Sequence, residues 1–226
     1  MKTHIGDLDG KKGFFSSLSI NTILILLTVL MFFVFSLLMK FNLLTIDDVA
    51  IKPSNIFQGK YLWTFLTSMF MHGGFFHLFV NMLSLFFLGT FLQRILGVKR
   101  YLWFYLISGL FAGLFFVLLS LIPTPFFSAD FDVFAVGASG ALFGLIGLMM
   151  LLTPNLPVYI MFIPIPIKIK YAAPGMLVLL WFISVTGNIP IGNTAHFGGL
   201  IAGLVYGLYL RNRYKNKVKA LNKFFR

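Results

Sequence analysis

The feature that most constrains this chain is a long apolar run without a single charge. Residues 20–39 contain no Asp, Glu, Lys or Arg, and ~20 apolar residues are what an α-helix needs to cross a bilayer. Further apolar runs follow, and 59% of all residues are hydrophobic. The sequence therefore predicts an all-α membrane protein that forms one bundle, because no part is polar enough to fold by itself in water.

Six membrane helices account for the apolar pattern. We predict them at residues 20–39, 75–93, 101–122, 139–152, 173–185 and 194–210. Residues 41–74 mix polar and aromatic side chains, which indicates a large first loop in the membrane interface. A basic loop at 94–100 and a proline-rich loop at 153–170 separate later helices. The fourth helix is about 21 Å long, shorter than the ~30 Å hydrocarbon core, so we expect it to begin inside the membrane.

The net charge of +12 fits membrane topology better than nucleic-acid binding. Six spans put both termini on one side, and of the 18 Lys and Arg residues only Lys40, Lys52 and Lys60 fall on the other. The positive-inside rule then predicts cytoplasmic termini and an outward-facing start of the fourth helix. We divide the chain into an N-terminal tail (1–19), a helical core (20–211) and a basic C-terminal tail (212–226).

Several chemistries are excluded by composition. The chain has no Cys, which removes thiol nucleophiles and thiolate metal sites, and no Glu, which removes the HExxH metalloprotease motif. No charged residue lies inside a predicted span, which argues against an ion pathway and against aspartyl proteolysis. We expect no metal, no cofactor and no nucleic-acid partner.

A serine stands out at the start of the fourth helix. The stretch AVGASGALFGLIG places Ser139 between Gly137 and Gly140. A Gly-x-Ser-Gly turn leading into a helix exposes Oγ and directs free N–H groups toward a developing oxyanion. Gly140 and Gly144 also form a small-residue stripe of the kind that packs membrane helices, which is the alternative interpretation.

The matching base candidate is His196, near the start of the sixth helix. Gly199 and Gly203 follow at four-residue spacing and leave one helix face bare. Packing this face against Gly140 and Gly144 brings the imidazole to the serine hydroxyl, where it can act as a general base. The alternative is an interhelical hydrogen bond without a catalytic role.

Three further residues are candidates for supporting roles. His77 and Asn81 lie four residues apart and share a face of the second helix. They serve either as oxyanion donors beside the Ser139 N–H or as hydrogen-bonding contacts between helices. His72 and Gly137 are auxiliary candidates, and we expect His72 in the membrane interface at the helix entrance. His4 is an ordinary residue of the N-terminal tail.

Four segments together resemble the rhomboid intramembrane serine proteases over residues 54–211. They are WTFLTSMFMHGGFFHLFVNMLSLFFLG, QRILGVKRYLWFYLISGLFAGL, GASGALFGLIG and TAHFGGLIAGLVYG. The resemblance implies a six-helix core, a dyad of Ser139 and His196, and an oxyanion hole formed by His77, Asn81 and the Ser139 N–H. It implies cleavage of transmembrane protein substrates near the outer membrane face.

The resemblance also implies an entry route for substrates. The fifth helix, with Trp181 and Phe182, would act as a lateral gate, and the loop 187–194 as a cap. Transmembrane substrates and membrane lipids would be the partners, and we expect a bacterial plasma membrane as the location.

The chain departs from the family pattern at two positions. Trp63-Thr64 stands where rhomboids usually have Trp-Arg, and Gln93 stands where an acidic residue is common. If those positions brace the first loop, Trp63 and neighbouring aromatic residues must supply the bracing here.

Two other functions compete with proteolysis. One is a catalytically silent rhomboid-like protein that binds membrane clients. The other is a transporter or channel with its substrate site at the proline-broken fourth and fifth helices. The absence of intramembrane charge and of an internal repeat argues against transport, and a serine-directed covalent probe separates all three.

Overall fold

The computed structural model describes residues 18–122, 130–160, 165–187 and 191–225, and these are mostly helical. The first part contains α1 (Ile20–Lys40), α2 (Ile46–Val49), α3 (Pro53–Phe57), α4 (Thr64–Thr67), α5 (Phe75–Ser84), a π-helical turn (Leu85–Gly89), α6 (Thr90–Leu96) and α7 (Val98–Leu119). The second part contains α8 (Ser139–Leu152), β1 (Pro157–Val158), β2 (Ile167–Lys168), α9 (Ile169–Gly187), α10 (Asn193–Arg213) and α11 (Lys215–Lys223).

Four of the described helices are long and apolar enough to cross a membrane: α1, the continuous helix Phe75–Leu96, α7 and α9. The chain is therefore a multi-pass membrane protein. The apolar helix α8 is shorter, with 14 residues. Helix α10 has 21 residues but a low mean hydropathy, since polar and glycine residues occupy much of its first half.

The first loop is folded rather than extended. It carries the short helices α2, α3 and α4, and Ile51 pairs with Ala135 in an isolated antiparallel bridge. Trp63 Nε1–H donates to the Asp48 carbonyl at 2.9 Å, and the Thr64 hydroxyl donates to the Tyr61 carbonyl at 2.6 Å. At the position of the family's arginine, the chain thus has a buried threonine that bonds within its own turn.

The prediction of a basic loop at residues 94–100 is wrong, because these residues are helical except for Gly97. The helix that begins at Phe75 runs to Leu96, and Gly97 alone separates it from α7. Gly97 has a φ of 77°, a left-handed conformation that glycine adopts without steric cost, so one residue suffices to reverse the chain. The basic residues at this point lie in the ends of the two helices rather than in a loop.

A buried polar network ties α1 to the π-helical turn. Asn21 Nδ2 donates to the Leu85 carbonyl at 3.0 Å, and the Tyr101 hydroxyl donates to Asn21 Oδ1. Gly89 is required beside them, because a Cβ there would overlap both the Asn21 amide and the Tyr101 hydroxyl. Gln93 Oε1 accepts the Asn21 backbone N–H at 2.8 Å, so this departure from the family pattern caps the first turn of α1.

Helix α8 lies at the centre of the structure, with ten of its 14 residues buried. It packs along α10 closely enough for the backbones to touch, and Phe143 packs against Leu200 beside this contact. A Cβ on Gly199 would overlap the Gly140 carbonyl, and one on Gly203 would overlap the Gly144 carbonyl. The other side of α8 contacts α7, where Ser108 packs against Gly144.

Helix α9 is longer than the sequence indicates. We predict residues 173–185, but the helix spans Ile169–Gly187, so that Pro174 lies in its second turn rather than at its start. The first N–H groups have acceptors outside the helix, since those of Ile169 and Lys170 donate to the Leu156 and Pro154 carbonyls. The preceding proline-rich loop contains the β1–β2 pair.

The remaining predicted helices agree with the structure to within a few residues. The third and sixth are Val98–Leu119 and Asn193–Arg213. Residues 1–17 of the N-terminal tail, including His4, lie outside the described residues, as do 123–129, 161–164 and the cap residues 188–190.

Candidate active site

The turn before α8 is fixed by groups from other segments. Gly137 has a φ of 121°, a backbone conformation that residues other than glycine rarely adopt. Its N–H donates to the Ser68 carbonyl at 2.8 Å, and the Ala138 N–H points to His72 Nε2 at 3.4 Å. Ser139 follows as the first residue of α8, at the end where helix N–H groups have no intrahelical acceptor.

Ser139 and His196 meet at the end of the α8–α10 contact. The Ser139 Oγ lies 2.8 Å from His196 Nε2, although the residues are 57 positions apart in the chain. His196 is 7% exposed, so its imidazole is held away from water. The pair is within hydrogen-bond distance, which is the geometry a nucleophile and its base require.

Phe143 holds the imidazole in place, a role that sequence reasoning missed. Its ring stacks on that of His196 with 4.6 Å between centroids and 19° between planes. Phe143 lies one helical turn after Ser139, so both side chains project from the same face of α8. That spacing is the sequence signal that could have found it. His196 Nδ1 is buried and has no hydrogen-bond partner in the described part of the chain.

His77 points to the bare face of Gly137. Its Nδ1 accepts the Gly73 N–H at 3.3 Å, so the neutral ring assigned from this bond carries its proton on Nε2. A Cβ built on Gly137 would lie 3.0 Å from His77 Nε2 and 3.7 Å from Ser139 Oγ. His77 Nε2 and Ser139 Oγ therefore border the same small space.

Asn81 makes a different contact from the one expected of an oxyanion donor. Its Nδ2 donates to the His77 carbonyl at 2.8 Å, one turn earlier in the same helix. Its Oδ1 is buried without a partner among the described residues. In this structure Asn81 thus bonds to the backbone that carries His77, and no hydrogen bond joins it to Ser139.

His72 is buried inside the protein just before α5. Its side chain is 1% exposed, and its ring meets that of His77 edge-on at 5.1 Å between centroids. Its Nε2 faces the Ala138 N–H at 3.4 Å. In the described part of the chain, no group of three His or Asp side chains could hold a metal ion.

The two gate candidates lie in different surroundings on α9. The Trp181 ring approaches that of Phe197 on α10, with 6.3 Å between centroids. The Phe182 side chain is 64% exposed and faces away from the protein. Only Trp181 therefore contacts the helix that carries His196.

Comparison with known proteins assigns this arrangement to a family. The Rhomboid domain family matches residues 59–213, which include both members of the Ser139–His196 pair. The chain belongs to the rhomboid family. The resemblance seen in the sequence is confirmed.

Individual rhomboid relatives are similar at a moderate level. The chain is 36% identical to RHOMBOID-like protein 5 of Arabidopsis thaliana over 67% of its own length and 46% of that protein. It is 35% identical to RHOMBOID-like protein 6, mitochondrial, of the same plant, over 71% of the chain and 48% of the relative. It is 31% identical to Inactive RHOMBOID-like protein 8, also from Arabidopsis, over 62% of the chain and 36% of the relative.

The lengths and names of these rhomboid relatives limit which of their properties can be inferred for this chain. The chain spans less than half of the length of each of the three. One of them is mitochondrial by name and another inactive by name, so the expectation of a bacterial membrane has no support from them.

Proposed function

We propose that this rhomboid is an intramembrane serine endopeptidase that cleaves transmembrane protein substrates. The observation that carries the proposal is the 2.8 Å approach of His196 Nε2 to Ser139 Oγ at the start of a buried helix. The hydroxyl pairs with an imidazole and lies beside a second histidine at a helix N-terminus, which is the set of groups that serine hydrolysis uses.

The reaction follows from the positions of the atoms. Ser139 Oγ attacks the carbonyl carbon of the scissile peptide bond while His196 Nε2 takes the hydroxyl proton. The carbonyl oxygen gains negative charge beside Gly137, within reach of His77 Nε2–H and the Ser139 N–H. The C–N bond then breaks, and the imidazolium gives its proton to the leaving amine.

Water completes the cycle. His196 takes a proton from a water molecule that attacks the acyl carbon, and the ester bond to Ser139 breaks with return of that proton to Oγ. In this scheme Asn81 orients His77 in the resting state. It joins the oxyanion donors when its amide turns away from the His77 carbonyl.

We further propose six spans, with α8 and α10 added to the four long apolar helices. This count puts both termini in the cytoplasm and the site toward the outer face, in agreement with the distribution of Lys and Arg. Helix α8 then begins within the membrane, in a water-accessible cavity, and substrates enter beside α9. The catalytic unit comprises residues 20–211, flanked by the two tails.

A catalytically silent, client-binding protein is the alternative. The relative named as an inactive rhomboid favours keeping it. The two functions differ in one chemical property, because only a proton-accepting neighbour makes Ser139 reactive toward a fluorophosphonate.

The test is labelling and cleavage by the full chain in detergent micelles. Wild type should be labelled and should cleave a transmembrane substrate, whereas Ser139→Ala and His196→Ala should do neither. Ser120→Ala is a matched control, since Ser120 is also buried and its hydroxyl donates to the Val117 carbonyl rather than pairing with a histidine. Absence of labelling in folded wild type, or cleavage by Ser139→Ala, contradicts the proposal.

A further inference from the structure

The segment that leads into α8 is fastened on one side to the first loop. Ile51 and Ala135 exchange backbone hydrogen bonds at 3.1 and 2.9 Å, and the Ser54 N–H donates to the Phe131 carbonyl at 3.0 Å. Asp132, in the same segment, forms an exposed ion pair with Lys52 at 3.5 Å. The backbone bonds fix the approach to Ser139, whereas the exposed ion pair contributes little, and none of these bonds involves α10.

A separate bond links this segment to α10. Asp130 Oδ2 accepts the Thr194 hydroxyl at 2.6 Å, and Thr194 is 1% exposed at the start of the helix, two residues before His196. Burial raises the pKa of the Asp130 carboxyl, while the bond from Thr194 acts in the opposite direction. Both partners therefore lie partly or wholly out of water, where a hydrogen bond to a charged group is strong.

The bond between Asp130 and Thr194 lies at one end of the contact between α8 and α10. Along this contact Gly199 and Gly203 let the two backbones approach closely, and Phe143 of α8 packs against Leu200 of α10. The bond holds the start of α10 from a segment outside the helix pair. Ser139 and His196 lie at one end of this contact, where a small slide of α10 changes their separation directly. A displacement of about 1 Å can cost ~100-fold in rate.

We propose that Asp130 is a positioning residue, which sets His196 relative to Ser139 by holding Thr194 at the start of α10. The inference rests on the proposed protease function. Ser139 is then connected to His196 by a second set of contacts, which runs through the segment before α8, Asp130 and Thr194. These contacts are independent of the glycine contact between α8 and α10. It assigns a role to a carboxylate that touches neither the substrate nor the imidazole.

The test compares variants at both ends of the bond. Asp130→Ala and Thr194→Val each remove it, and kcat should fall on the order of tenfold with little change in KM. Thr194→Ser keeps the hydroxyl and should restore kcat. The double variant Asp130→Ala/Thr194→Val should lose little more than either single variant, since the two residues act through one bond.

The matched control is Asp132→Asn. It removes a carboxylate two residues away whose side chain is 73% exposed and forms an ion pair with Lys52, so kcat should stay at the wild-type value. The rate of Ser139 labelling by a fluorophosphonate gives a second readout that needs no substrate. It should fall in parallel with kcat.

A general loss of folding gives a different pattern. Asp130→Asn keeps a side-chain oxygen that accepts the Thr194 hydroxyl and removes a charge whose burial is unfavourable, so neither its labelling rate nor its thermal midpoint should fall. In Asp130→Ala the labelling rate should fall at temperatures well below the thermal midpoint. Wild-type kcat and labelling in folded Asp130→Ala and Thr194→Val overturn the inference and leave the protease function standing. Equal losses in Asp132→Asn also overturn it. Unlabelled wild type contradicts the protease function instead.

Discussion

Replacing Gly199 tests the packing on which the Ser139–His196 distance depends. A Cβ at Gly199 would lie 2.9 Å from the Gly140 carbonyl carbon, inside the closest approach of real Cβ atoms, and closer still to the carbonyl oxygen. The obstacle is backbone, which cannot turn aside as a side chain can. Even alanine must therefore push α10 away from α8, although small residues are commonly tolerated in such stripes.

The expected loss follows from this overlap. Relief of the contact needs a shift of about 1 Å near the dyad, a scale at which misorientation costs ~100-fold in rate. We expect Gly199→Ala to lose activity on this order and Gly199→Val to lose more, with the thermal midpoint falling in the same sequence. The assay is kcat/KM for peptide cleavage, measured together with the thermal midpoint and the Ser139 labelling rate.

Gly175 provides the control for Gly199. It lies in α9, and a Cβ there would have no neighbour within 4 Å, so Gly175→Ala and Gly175→Val should keep both activity and stability. Full activity in Gly199→Val would refute the reasoning. The glycine face of α10 would then not set the Ser–His distance, whatever the chemistry of the dyad.

Three other outcomes can be measured. Asn81→Ala should lower kcat more than it raises KM, by up to the roughly 2–4 kcal/mol of one oxyanion donor; a raised KM with normal kcat would make Asn81 a binding residue. Reporters fused after Arg226 and within residues 47–60 should lie on opposite sides of the membrane, and a shared side would contradict the six-span topology. Burial raises the pKa of Asp130, so its charge destabilises the fold at neutral pH and ceases to do so as pH falls. We therefore expect the thermal midpoint of Asp130→Asn, measured as its difference from that of wild type, to be lower at pH 4 than at neutral pH. A difference that is the same at both pH values would argue against a raised pKa of Asp130.

The sequence predicted what depends on periodicity and on motif spacing. Charge-free runs located the long helices, and the glycines of α10 at four-residue spacing indicated the face that meets α8. Gly199 and Gly203 do face the Gly140 and Gly144 carbonyls. The bare sides of Gly140 and Gly144, however, face Ala112 and Ser108 of α7, so the predicted pairing of two glycine faces is right only for α10.

What the sequence did not predict depends on partners distant in the chain. Helix α9 begins before Pro174 because carbonyls of an earlier loop accept its first N–H groups. His72 is buried, and its Nε2 faces a backbone N–H next to Ser139, 66 positions further along the chain. The bond between Asp130 and Thr194 joins residues 64 positions apart, and although Thr194 begins the TAHFGG segment, Asp130 lies in none of the four family segments.

The hydrogen bonds of Asn21 with Leu85, Gln93 and Tyr101 have a consequence for where the N-terminus of this chain can be truncated. The Rhomboid domain match begins at residue 59, after α1 has ended. A fragment that starts there keeps every candidate catalytic residue but removes the partners of the Leu85 carbonyl, the Gln93 amide and the Tyr101 hydroxyl. A buried polar group left without a partner costs about 1–3 kcal/mol. We therefore expect a fragment that begins at residue 59 to be less stable than one that begins at or before Ser19, whose side chain caps α1.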